Sequence, residues 1–253
     1  MKATYKVFLN FPYDQDFKGL SIALQFAVVA KGLVPVCGKD MIASDKIRIY
    51  NLTDAISGCR FSIHDLSRNK GEGEDNFMRG NMPLEAGMAL FNAFNSQRNR
   101  DKNDESFQHR FLLMTSQPHE HTIFASDLNG LDPMYHQNDE IEMITKVYTW
   151  LNNILKSRPE LKSLPITRIK EIYQEFISSL KDIKGGETSG EATHEETREL
   201  MYRICESYQL WDFRYSMSGR EEFPEAQIQF NNKPPESIQN FKKQRMSEKD
   251  KEP

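Results

Sequence analysis

Residues 5–14, YKVFLNFPYD, and residues 60–68, RFSIHDLSR, decide the fold. Each opens on a short run rich in apolar and aromatic side chains, the pattern of a buried strand, and each ends on polar residues that would gather at a sheet edge. The first strand reads as Tyr5–Asn10, closed by Phe11-Pro12, where proline removes a ladder donor. A further strand reads as Arg60–His64. Between them, Phe17–Lys31 places Phe17, Leu20, Leu24, Phe26, Ala27 and Val28 at helical spacing, and Gly32 suits a C-terminal cap. Leu33–Val36 reads as a second strand. Ser44-Asp45 can cap a helix carrying Ile47, Tyr50, Leu52 and Ile56, which Gly58 stops. Further out, Asn81–Pro83 opens a helix with Leu84, Met88, Phe91 and Phe94, and RFLLMT at 110–115 makes a fourth strand. A helix follows over 140–155, with Ile141, Ile144, Val147, Tyr148, Leu151 and Leu155 on one side. Strands alternating with helices predict an α/β fold: a parallel sheet with right-handed crossovers and helices on both faces.

The 253-residue chain is long enough for this domain and a satellite. The boundaries expected are an α/β domain over 1–157, a helical appendage over 158–213 and a disordered tail over 214–253. Ile166–Ile183 and His194–Leu210 are amphipathic and flank a glycine-rich linker. They would serve either as an oligomerisation surface or as helices packed on their own sheet. The tail is poor in hydrophobic residues, carries Pro234-Pro235 and ends on KKQRMSEKDKEP. Hydrophobic residues make up 38% of the chain and charged residues 28%, which excludes collagenous and low-complexity classes. With 33 Lys and Arg against 37 Asp and Glu, the net charge of −4 provides no basic field for nucleic acid. The most apolar window, Leu20–Val29, is about half the roughly 20 residues a bilayer span needs. The first residues lack a secretion signal, and Cys37, Cys59 and Cys205 form no paired motif, so a reducing cytoplasm and no membrane are expected.

Ligands in an open parallel sheet bind outside the carboxyl ends of the strands. That rule selects the loops Asn10–Asp14, Cys37–Asp40, His64 to Glu85, and Thr115 onward. Neither the dinucleotide-binding glycine fingerprint nor a P-loop occurs, and His119-Glu120-His121 has the wrong spacing for a zinc helix, so no metal site is expected. Gly71-Glu72-Gly73 lies in an acidic stretch that would repel phosphate. What remains is a carboxylate pair, Asp65 at the tip of the third strand and Glu85 in the first turn of the next helix. The helix start should favour ionised Glu85, suiting it to face the positive charge that develops as an N-ribosidic bond breaks. A simpler role for both is structural, Glu85 as a helix-start carboxylate and Asp65 capping a turn with Ser67. Phe11 and Tyr13 could stack on a flat base or pack in the core. Arg48, Arg68 and Arg79 could hold a phosphate or ribose or simply be solvated. His64 suits either a partly buried imidazole or a site residue.

VFLNFPYD at 7–14, the segment 46–68 with its ISGCRFSIHDLSR, and NMPLEAGMAL at 81–90 resemble the flavodoxin-like superfamily that contains TIR domains and nucleoside 2-deoxyribosyltransferases. More narrowly, with SDLNGLDPMYH at 126–136, they resemble an uncharacterised bacterial TIR-like family. The resemblance spans roughly residues 5–155. It implies a flavodoxin-like sheet, bond cleavage by Glu85, a supporting role for Asp65, and nucleoside contacts from the first-strand loop, at Phe11 and Pro12. The deoxyribosyltransferase pattern has an aspartate-glycine pair where Asn81 and Met82 stand here. By similarity alone, the resemblance implies an NAD-consuming effector in antiphage defence.

The expectation is therefore an N-ribosyl hydrolase, an NAD nucleosidase cleaving the nicotinamide–ribose bond of NAD or a related nucleotide. Glu85 and Asp65 would be its catalytic carboxylates. Asn10, Phe11, Pro12, Tyr13, Arg48, Ser67, Arg68, Asn81 and Met82 would line the substrate site. NAD enters as substrate, and no cofactor or metal is called for. A homo-oligomer or a defence-system protein would be its partner. The alternatives are a non-catalytic nucleotide sensor or adaptor and a deoxyribosyltransferase-like hydrolase.

Overall fold

The computed structural model describes residues 5–41, 47–68, 80–98, 108–120, 130–156, 163–184 and 192–211. Five strands, β1 (Lys6–Asn10), β2 (Val34–Cys37), β3 (Phe61–Asp65), β4 (Arg110–Thr115) and β5 (Met134–Tyr135), form one sheet in the order β2-β1-β3-β4-β5. Every pair in it is parallel. This is the flavodoxin-like order, and the chain reverses its direction of travel across the sheet between β1 and β3. The register sets Phe8 beside Ser62 and Asn10 beside His64, so the two strands end together at that reversal.

Val7, Phe8 and Leu9 are all fully buried, which requires cover on both faces of the sheet. Helices α2 (Arg48–Ser57) and α3 (Asn81–Arg98) share one face, where Phe8 packs with Leu52, Ile56, Cys59 and Ala89. At the carboxyl edge of that face, Met82, Ala86, Leu66 and Leu113 make a second cluster. Helix α1 (Lys18–Ala30) buries Leu20, Ala23, Leu24 and Ala27. Helix α4 (Glu140–Ile154) follows β5, with Met143, Ile144 and Val147 buried. Gly32 closes α1 at φ 80°, a left-handed conformation that glycine adopts without penalty.

Two expectations about local structure change. Strand β5 has only two residues, and the sequence offers no apolar run there; pairing with Met114 and Thr115 creates it. Helix α2 begins at Arg48 with Ile47 as its N-cap and has no side-chain cap; Ser44 and Asp45 lie outside the described residues.

The chain divides into two compact units, 1–28 with 33–147 and 29–32 with 148–253, so the division falls inside α4. In the second unit, α5 (Ile166–Lys184) and α6 (His194–Ser207) pack together. Helix α5 buries Ile169, Ile172, Tyr173, Phe176 and Leu180, and α6 buries Leu200, Met201, Ile204 and Cys205, each set at helical spacing. Thr193 and Glu196 form a reciprocal capping box at the start of α6. The expected tail, 214–253, lies outside the described residues. Among those described, no helix is long and apolar enough to cross a membrane.

Candidate active site

The carboxyl ends of β1 and β3 carry two groups of polar side chains on opposite faces of the sheet, because neighbouring residues of a strand point to opposite sides. Asn10 and His64 lie on the face covered by α2 and α3, and Asp65 lies on the other.

The Asp65 group is closed. Asp65 and His136 are both fully buried, with His136 Nε2 3.0 Å from Asp65 Oδ2, an electrostatic approach without hydrogen-bond alignment. Asp65 Oδ1 accepts the Ser67 amide at 3.0 Å and the Ser67 hydroxyl. The Asn138 amide donates to His136 Nδ1 at 3.1 Å, which leaves the ring proton on Nε2, facing Asp65. Gln137 and Asn138 reach φ values of 55° and 57° to make that turn. Asp65 thus ties the β3 end to the loop after β5. Asp65 and Ser67, both expected at the substrate site, direct their polar atoms at each other and at His136.

The Glu85 group is open. Glu85 is the fifth residue of α3 counting from Asn81, and the first turn of that helix holds no acid. Its side chain is 8% exposed, and among the described residues no hydrogen bond or ion pair holds its carboxyl. Burial pushes that carboxyl up to about 7, while the positive charge of Arg48 acts in the opposite sense. This reverses the expected preference for the ionised form, because desolvation outweighs a helix terminus that lies more than a turn away. Tyr13 stands beside the group. Its hydroxyl accepts the Gly38 amide at 2.8 Å, and burial, then the neighbouring Cys37 and Glu85, raise it well above the ordinary phenol range. A side chain at Gly38 would meet Tyr13 Oη at 2.8 Å and Arg48 Nη2 at 3.5 Å, so the bare glycine lets phenol and guanidinium converge.

Asn10 supports this arrangement from beneath. Its amide donates to the Met82 carbonyl at 2.9 Å, pinning the start of α3, and lies 3.2 Å from His64 Nδ1. His64 is fully buried, its Nε2 has no hydrogen-bond partner, and desolvation lowers it to about 3. It is a neutral core imidazole.

The remaining candidates separate. Phe11 is 2% exposed and packed between Tyr13 and Phe17, with ring centres 5.0 and 6.4 Å away, and Pro12 is buried. These two are core residues, and Tyr13 is the aromatic that reaches solvent. The Met82 side chain is in the core, whereas Asn81 is exposed at the helix start. Arg68, also expected at the substrate site, spans Asp14 at 3.1 Å and Asp16 at 3.2 Å. Arg79, Gly71–Gly73 and His121 lie outside the described residues.

The structure therefore brings Tyr13, Arg48 and Glu85 together from the β1 loop, α2 and α3, with Asn10 behind them. The sequence reading missed Lys39, whose Nζ lies 5.3 Å from the centre of the Tyr13 ring, and His136. Both fell in segments already singled out, the Cys37–Asp40 loop and SDLNGLDPMYH, but neither had a spacing to mark it. Fold and site define the class as a flavodoxin-like α/β protein with a buried glutamate near the edge where its strand order reverses. No family model, curated protein or solved structure matches the chain.

Proposed function

We propose that this protein is an N-ribosyl hydrolase that cleaves the nicotinamide–ribose bond of NAD or a related nucleotide, with Glu85 as the catalytic group. The observation that carries this reading is the nearly buried Glu85 carboxyl, unpaired at the strand-reversal crevice beside Tyr13 and Arg48. A carboxylate held in low dielectric gains most from an adjacent positive charge, and cleavage of the ribosidic bond creates one on the sugar. As the C1′–N bond breaks, its electron pair leaves with nicotinamide, and ionised Glu85 faces the oxocarbenium-like ring. Water then adds at C1′ and gives up a proton, which Glu85 can accept because its affinity lies near neutrality. The products are nicotinamide, the ribosyl nucleotide and one proton.

Nicotinamide leaves as a neutral molecule, so the reaction requires no general acid and no metal. Tyr13, 43% exposed, supplies the flat surface at the crevice. Asp65, tied to His136, holds the end of β3, which pairs with the Asn10 end of β1. Three free, buried cysteines support a cytoplasmic setting. Within that setting, the sequence resemblance supports a role as a defence effector.

The test is nicotinamide release from NAD by wild type and Glu85→Gln. Loss of turnover in a folded Glu85→Gln supports the reading; a variant as active as wild type removes it.

A further inference from the structure

Two cations at this edge, Arg48 and Lys39, are held in no ion pair among the described residues, although the charge of Arg48 is felt by Glu85. Both are exposed. Arg68, the other arginine at this edge, is spent on Asp14 and Asp16, and the Asp40 carboxylate turns inward to accept the Cys37 amide at 2.8 Å. We propose that Arg48 and Lys39 form a phosphate subsite beside Glu85, so that the crevice takes phosphorylated ribosides and discriminates against their unphosphorylated counterparts. This deepens the ribosyl-hydrolase reading and, for the position of the sugar, rests on it.

Four observations converge on the subsite. Arg48 is the first residue of α2, whose N-cap Ile47 offers no side-chain bond and whose first turn carries no acid. The start of that helix therefore favours an anion. Second, the guanidinium is brought in beside the Tyr13 hydroxyl by the absence of a side chain at Gly38. Third, Lys39 is held against the same tyrosine ring, 5.3 Å from its centre, which limits the freedom of a long side chain. Fourth, Glu85, a residue only 8% exposed, has a carboxyl without a hydrogen bond or ion pair among the described residues, and it lies within the electrostatic reach of both Arg48 and Tyr13. A ligand that satisfies this surface carries an anion for Arg48 and Lys39 and, next to it, an electron-poor centre for Glu85. A ribose 5′-phosphate or pyrophosphate bearing a base has that order of groups. Guanidinium binds phosphate oxygens through paired hydrogen bonds, and an ammonium adds a point charge.

Calorimetric titration of the full-length protein with inorganic pyrophosphate tests the subsite without turnover. Wild type is expected to bind, more weakly as salt rises. Arg48→Ala and Lys39→Ala are each expected to weaken binding about tenfold or more, the loss that follows removal of a charge-assisted hydrogen bond. Arg48→Lys should recover only part of it. Glu85→Gln should still bind pyrophosphate. With NAD, the Arg48 and Lys39 variants should raise KM more than they lower kcat, and wild type should favour NAD over nicotinamide riboside by about tenfold or more in kcat/KM. Wild type that fails to bind pyrophosphate, or folded variants that bind it as wild type does, overturns the subsite. Pyrophosphate binding that depends on both cations, without cleavage of NAD, keeps the subsite and sinks the hydrolase reading.

Discussion

Replacing Glu85 by glutamine should stabilise the protein in alkaline solution while abolishing its turnover. The folded structure raises this carboxyl from 4.5 to about 7, chiefly by desolvation. Below pH 4.5 the group is protonated whether the chain is folded or not, and it costs nothing. Between pH 4.5 and about 7 the folded state holds a proton that the unfolded state has released, so stability falls as pH rises. Above that window the whole penalty is present. At about 1.4 kcal/mol per pH unit, the rise gives about 3 kcal/mol, and at 8% exposure little solvent screening reduces it. Glutamine keeps the shape and removes the ionisation. Urea unfolding of wild type and Glu85→Gln from pH 4.5 to 8.5 should therefore show matched stability at the acid end. The variant should lead by about 3 kcal/mol at the alkaline end. Parallel curves, or a gap that widens toward acid, would refute the burial argument. A variant that gains this stability and still releases nicotinamide would separate the electrostatics from the proposed chemistry.

His136→Ala leaves the Asp65 carboxylate buried without its imidazole and should cost about 3 kcal/mol or more in urea unfolding; a cost near zero would mean that the Asp65 anchor is unimportant. Gly38→Ala places a methyl 2.8 Å from Tyr13 Oη, so NAD turnover should drop about tenfold while circular dichroism stays unchanged. Undiminished activity would remove Tyr13 and Arg48 from the site. Gly32→Ala forces a left-handed residue at φ 80° and should cost about 1 kcal/mol, read as a lower thermal midpoint. Cys37, Cys59 and Cys205 are all buried, and burial pushes Cys59 up to about 12 and raises Cys205 well above its ordinary range. A thiol reagent should label none of them in the native protein and all three after denaturation; rapid native labelling would contradict the packing.

The sequence by itself determined the alternation of strands and helices. RFLLMT becomes β4 over the expected residues, and the apolar spacing of 166–183 and 140–155 becomes α5 and α4 to within a residue. Gly32 ends α1 as a left-handed cap. These features are local: a strand's apolar run, a helix's period and a glycine's torsional freedom are all set by neighbours in the chain. Strand β5 was invisible because two residues carry no period, and they become a strand only by pairing with β4. The candidate site was half legible, since Glu85 and Tyr13 could be named from segments expected at one edge and Arg48 as a possible phosphate or ribose contact. Which carboxyl stays available could not be read from sequence. Asp65 is closed off by His136, remote in sequence, and Glu85 has its charge preference inverted by the bodies packed over it. Solvation and electrostatics depend on distances between segments far apart along the chain, and only the tertiary structure decides those distances.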